Sequence, residues 1–131
     1  TERLYSHLVI FPLHVEAMQE AGQYLVGTHD FKSFCAAKTQ AQTTVRTVTG
    51  IEVEAQPLSE GEYPSQKVII RVTGEGFLYN MVRIISGTLI KVGLGVYPPE
   101  HVKEILESCD RSQAGETVPA KGLFLKKIEY L

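Results

Sequence analysis

Aspartate, cysteine and long apolar runs are all scarce in this chain, and each shortage excludes something. Only Asp30 and Asp110 are aspartates among 131 residues. Asp30 follows His29, but side chains adjacent in sequence seldom face each other, so this pair is no catalytic dyad. Asp30 reads as a turn or cap residue, and Asp110 in Ser108-Cys-Asp-Arg111 as a helix-exit turn. No Ser/His/Asp set, paired carboxylates or phosphate loop emerges. Two cysteines, Cys35 and Cys109, make no disulfide framework and belong to no Cys-x-x-Cys pattern. The four histidines, His7, His14, His29 and His101, are scattered and lack the spacing of a zinc site. Both thiols are expected to be reduced, as in a cytoplasmic protein. No stretch approaches the roughly 18 uninterrupted apolar residues of a membrane span. The longest apolar helix candidate, residues 78–92, is interrupted by Asn80, Arg83 and Lys91. No membrane partner is therefore expected. The chain starts at Thr1 without a methionine, from which we expect an excised piece of a longer protein.

What is present describes an ordinary globular chain. Hydrophobic residues make up 44% and charged residues 21%, which separates it from disordered sequences. Its length suits one domain, residues 1–131. Net charge is −2, so the average does not point to nucleic acid. The distribution does. Residues 31–51 contain no Asp or Glu but carry Lys32, Lys38 and Arg46. Such a basic, Thr/Gln-rich stretch is a candidate phosphate-contacting surface, although solvated loops share this composition.

Periodicity gives the order of elements. Residues 4–11 are aliphatic and read as a strand. Val15, Met18, Gly22 and Leu25 then recur at helical spacing between Pro12 and Gly27. Residues 29–34 are too short for an independent element, although Phe31 and Phe34 could dock a single helical turn. Residues 43–56 alternate Val45, Thr47, Thr49, Ile51, Val53 and Ala55 against a wetter set, the pattern of a long strand. Residues 67–73 resume as its hairpin partner. A second helix over 78–92, a shorter one to about Ser108 and a last strand over 123–131 complete the order. The expected fold is α+β, a ferredoxin-like β-α-β-β-α-(α)-β chain whose antiparallel sheet carries its helices on one face.

The second helix carries the most information. Leu78, Met81, Val82, Ile85, Leu89 and Val92 form its core stripe on a wheel of about 100° per residue. Tyr79, Arg83, Ser86, Gly87 and Ile90 fall elsewhere, where a solvent face would carry Lys and Glu. One Arg among small and apolar neighbours reads as a charge in a partly buried place, suited to a carboxylate or phosphate. A guanidinium reaching from a packed helix to solvent would give the same pattern. Gly74-x-Gly76, just before this helix, reads as a plain turn more readily than as an anion site.

These residues resemble a known family. Gly76-Phe-Leu-Tyr-Asn-Met-Val-Arg-Ile-Ile-Ser-Gly-Thr-Leu89 followed by Val92-Gly-Leu-Gly95 resembles the TruA family of tRNA pseudouridine synthases. His29-Asp-Phe-Lys-Ser-Phe34 and Val45-Arg46-Thr47 agree in the same order. So do Asp110-Arg111, Ala114-Gly115, Thr117-Val-Pro-Ala120 and Gly122-Leu-Phe-Leu125, with Val118 in a position where the family has Ala. The resemblance implies isomerisation of uridine to pseudouridine in the tRNA anticodon arm, without cofactor or metal. It implies two similar halves around a basic cleft, usually in a homodimer. The family's nucleophilic aspartate lies in a Gly-Arg-Thr-Asp-x-Gly-Val-His motif of the amino-terminal half, and that motif is absent here. This chain therefore resembles the carboxy-terminal half alone, inactive by itself and needing the amino-terminal half as partner. By the same resemblance Arg83 would pair with the missing aspartate and Leu123 would pack against the active site. Lys32, Lys38, Arg46 and Tyr79 would meet tRNA. The competing reading is a stand-alone RNA-binding or protein-interaction domain on the same fold, although the aromatic strand motif of sheet-type RNA readers is missing.

Overall fold

The computed structural model describes residues 2–10, 14–35, 43–58, 65–78, 80–115 and 125–130. Among the described residues, five strands and three helices run in the order β1 (Glu2–Ile10), α1 (Val15–Gln23), β2 (Gly27–Asp30), β3 (Val45–Leu58), β4 (Ser65–Glu75), α2 (Met81–Gly93), α3 (His101–Ser108) and β5 (Leu125–Tyr130). The sheet order is β2-β3-β4-β1-β5, and every neighbouring pair is antiparallel. Without β2 this is the expected ferredoxin-like arrangement. Alternation along the central hairpin sorts its two faces. Val48, Ile51, Val68, Ile70 and Val72 join Met18, Ala21, Ile85, Leu89 and Ile105 of the helices in one core. Glu52 and Glu54 alternate with them, lie opposite Arg71 and Ile69 in the register, and are exposed. Arg71 reaches Glu54 at 2.8 Å and Glu52 at 3.7 Å.

Two elements differ most from the sequence reading. Residues 27–30 form β2, a true edge strand pairing with Val45–Val48; four residues are too few for a period to declare itself. The following 3₁₀ turn, Lys32–Phe34, supplies the docked aromatic turn, with Phe31 and Phe34 fully buried. Helix α2 begins at Met81 rather than Leu78, because Asn80 adopts a left-handed φ of 60°, a conformation Asn tolerates better than most residues.

Side chains close the gaps that strands leave open. β2 covers only the first residues of β3, and Gln19 of α1 takes over farther along. Its amide nitrogen donates to the Ile51 carbonyl at 3.0 Å, and its amide oxygen accepts from the Val53 N–H at 2.7 Å. These are the bonds a further strand would make, so the amide blunts an edge that invites pairing. Ser33 does similar work at the end of α3. Its buried hydroxyl donates to the Ile105 carbonyl at 2.7 Å and accepts from the Asp110 N–H at 2.9 Å.

Helix α2 is buried almost all round. Ile84, Ser86, Gly87 and Thr88 are buried along with the expected core stripe. Ser86, grouped by spacing with Arg83 apart from the core stripe, is fully buried and lines no open surface. Gly115 lies directly against the helix. A Cβ there would stand 2.8 Å from the Thr88 Cα and N and 2.9 Å from the Gly87 carbonyl carbon. The Gly115 N–H donates to the Thr88 hydroxyl at 2.9 Å, and that hydroxyl donates to the Ile84 carbonyl at 2.9 Å. Arg111 holds the other side of the residue, donating to the Gly115 carbonyl at 3.0 Å. Gly115→Ala is expected to destabilise the fold by about 1–3 kcal/mol through overpacking. Thr88→Val should cost about 1–3 kcal/mol by leaving a buried N–H unsatisfied, with Thr88→Ser losing less. Urea denaturation reads both; a neutral Gly115→Ala would show that the contact is loose.

Candidate functional site

Arg83 stands in the first turn of α2 and is half-buried. That turn contains no acidic residue. Helix N-termini carry partial positive charge, so a cation here reinforces the helix field instead of offsetting it. The planar guanidinium fork at this position suits a carboxylate or a phosphate. Gly87 follows Arg83 by four residues and so shares its helix face. Since Gly115 packs on Gly87 and Thr88, the chain crosses α2 one turn beyond Arg83. From there residues 116–124 lead to β5, which begins at Leu125. Leu123 belongs to that span and lies outside the described residues, as do Tyr79 and Lys38.

The acid-free stretch resolves into unlike parts. Lys32 is exposed on the 3₁₀ turn after β2, and its backbone N–H donates to Asp30 Oδ1 at 3.1 Å. Arg46 on β3 bonds backbone instead. Its Nε donates to the Gly76 carbonyl at 2.6 Å, and its Nη1 to the Thr43 and Val45 carbonyls at 2.8 and 2.7 Å. Lys32 thus presents a charge to solvent, whereas Arg46 presents a guanidinium already hydrogen-bonded on two of its nitrogens.

The remaining polar groups of the motifs hold local structure. The His29 ring lies 3.0 Å from the Val26 carbonyl and edge-on to Phe31. Asp30 accepts from Lys32 and from the Thr44 hydroxyl. The neighbours go to different partners, as expected of a turn rather than a dyad. Asp110 accepts from the Ser112 N–H and hydroxyl at 3.0 and 2.7 Å, and these bonds hold its carboxyl below the usual range. Burial, followed by the charge of Asp30, raises the thiols of Cys35 and Cys109, which keeps them protonated and poorly nucleophilic at neutral pH. A groove of about 320 Å³ between α1, β2 and α3 is lined by Tyr24, His29, Asp30, Leu106 and Cys109 among others, but Arg83 is not part of it. Thr88 and Gly115 were not legible as a contact from sequence; the available signal was three small residues, Ser86-Gly87-Thr88, inside an apolar helix.

A family model described as tRNA pseudouridine synthase matches residues 21–131. A tRNA pseudouridine synthase A of Brevibacillus brevis is 51% identical over 126 residues, covering 96% of this chain and 48% of that protein. The protein of the same name from Bacillus subtilis is 46% identical over 129 residues, covering 98% of this chain and 49% of its own length. That of Anoxybacillus flavithermus is 49% identical over 128 residues, with the same coverages of 98% and 49%. The chain spans about half the length of the curated relatives it matches. With residues 21–131 inside the family match and relatives 46–51% identical across nearly the whole chain, the chain belongs to the tRNA pseudouridine synthase family.

Proposed function

We propose that residues 1–131 are the carboxy-terminal half of a tRNA pseudouridine synthase and complete its active site from α2. The observation that carries this reading is Arg83, a half-buried guanidinium in the first turn of a helix that has no acid there. The coverage of about half of each relative supports it, as does the absence from this sequence of the family's aspartate motif. The substrate is uridine in the tRNA anticodon arm. The uracil–ribose C–N bond breaks, the base rotates, and a bond to carbon replaces the one to nitrogen as the C5 proton leaves. Reaching the base requires extruding the nucleotide from its stack. The aspartate supplied by the amino-terminal half acts as nucleophile or base. Arg83 keeps that carboxylate ionised and oriented, since a nearby opposite charge favours the charged form. Leu123 contributes apolar packing to the same site, and Tyr79 meets tRNA. Lys32 and Lys38 meet tRNA phosphates, and the full-length enzyme assembles as a homodimer. No cofactor takes part in these steps.

Tritium release from tRNA labelled at uracil C5 tests the reading. This chain alone should give no turnover above the no-enzyme background, and adding the complementary half should restore it. Turnover by the isolated chain would overturn the proposal. In the complete enzyme Arg83→Ala should lower the single-turnover rate by about a hundredfold or more, as for loss of one preorganised charge. Affinity for tRNA should change little, because phosphate contacts dominate it. Arg83→Lys should recover only part of the rate, since an ammonium cannot reproduce the planar fork.

A further inference from the structure

Arg46 stands in the basic stretch where a phosphate ligand is expected, yet its geometry is that of a brace. Three short, charge-assisted bonds join its guanidinium to the carbonyls of Thr43, Val45 and Gly76. Thr43 lies just before β3 and Val45 at its first residue, whereas Gly76 lies in the loop between β4 and α2. The same two segments touch again close by. A Cβ on Gly74 would stand 2.6 Å from the Thr47 carbonyl oxygen, 3.2 Å from the Val48 Cα and 3.0 Å from the Phe77 ring. Gly76 itself takes a left-handed φ of 61°, so its carbonyl is aimed by a backbone that other residues rarely adopt. Four residues later Asn80 makes a second left-handed turn, and α2 starts. Leu78 and Asn80 then accept the first helical bonds, from Met81 at 3.0 Å and Ile84 at 2.9 Å.

We propose that Arg46 is a positioning residue: it fixes the β4–α2 loop to the start of β3 and thereby sets where the first turn of α2, with Arg83, stands. Bonds to ionised donors are about twice as strong as neutral ones. A loop with two positive-φ residues has several alternative paths, and a clamp on the first of them selects one. An Arg engaged in this way adds little to the counterion release that tracks phosphate contacts. The catalytic part of the argument rests on the reading of Arg83 given above; the structural part does not.

Two measurements separate these parts. The first is hydrogen exchange on this chain, with amides of the β3–β4 hairpin such as Ile70 as the control for global unfolding. Arg46→Ala should speed exchange at Met81 and Ile84 by about tenfold or more, the effect of losing a charged hydrogen bond on a local opening. Arg46→Lys should give a smaller increase, and Lys32→Ala none. Equal protection in Arg46→Ala and wild type overturns the proposal, whatever the function. The second uses the complete enzyme. Arg46→Ala should lower the single-turnover rate while tRNA affinity keeps its slope against log salt. A slope reduced by about one charge with an unchanged rate would make Arg46 a phosphate ligand and overturn the brace. Faster exchange at Met81 and Ile84 in an enzyme whose wild type forms no pseudouridine would leave the brace standing and remove the functional reading instead.

Discussion

Everything distinctive about this fold depends on how closely backbone can approach α2. Gly115 lies on Gly87 and Thr88 with no room for a methyl group, and the Thr88 hydroxyl joins the two segments through one N–H and one carbonyl. That contact covers one part of a helix that is buried on most of its sides. Arg83, one turn earlier, is half-buried. Ser86 and Thr88 are accommodated because each hydroxyl returns to a carbonyl four residues back, at 2.8 and 2.9 Å, so neither is buried unsatisfied.

The cations of this chain are not a uniform electrostatic field. Arg71 lies across two glutamates on the far side of the sheet. Arg111 and Arg46 donate to backbone carbonyls. Planar guanidinium groups suit such fixed geometry better than ammonium groups, and here they tie loops to elements. Lys32, exposed on its turn, is the kind of charge that contributes to long-range attraction of a polyanion. A net charge of −2 is compatible with nucleic-acid work when structural and steering charges are separated in this way.

The sheet and its helices were legible because their signals are periodic. The alternation from Val45 to Ala55 and the α2 stripe each repeat often enough to name an element and its buried face. β2 was not legible, because its four residues gain their conformation from pairing with β3 rather than from their own pattern. The Leu78–Asn80 segment reads as helix on apolar spacing, but one left-handed Asn delays the start. Arg83 could be singled out from the sequence because a lone charge on a small, apolar face breaks the pattern. Arg46 was legible only as charge. That it braces a loop depends on a Gly76 carbonyl 30 residues away, and no local pattern reports a contact of that span. Ser33 and Gly115 escaped notice for the same reason.

The proposed role of α2 depends on whether Arg83 faces a carboxylate brought by another part of the enzyme. The most direct measurement is the pKa of the motif aspartate in the assembled two-half protein, followed by carboxyl-carbon NMR with Arg83 present and with Arg83→Gln. An opposite charge within a few ångströms lowers a carboxyl pKa by about 1–3 units. The aspartate should therefore titrate below the usual range beside Arg83 and rise when the guanidinium is replaced. An aspartate that titrates at the same pH in both proteins would contradict the pairing and, with it, the role assigned to α2.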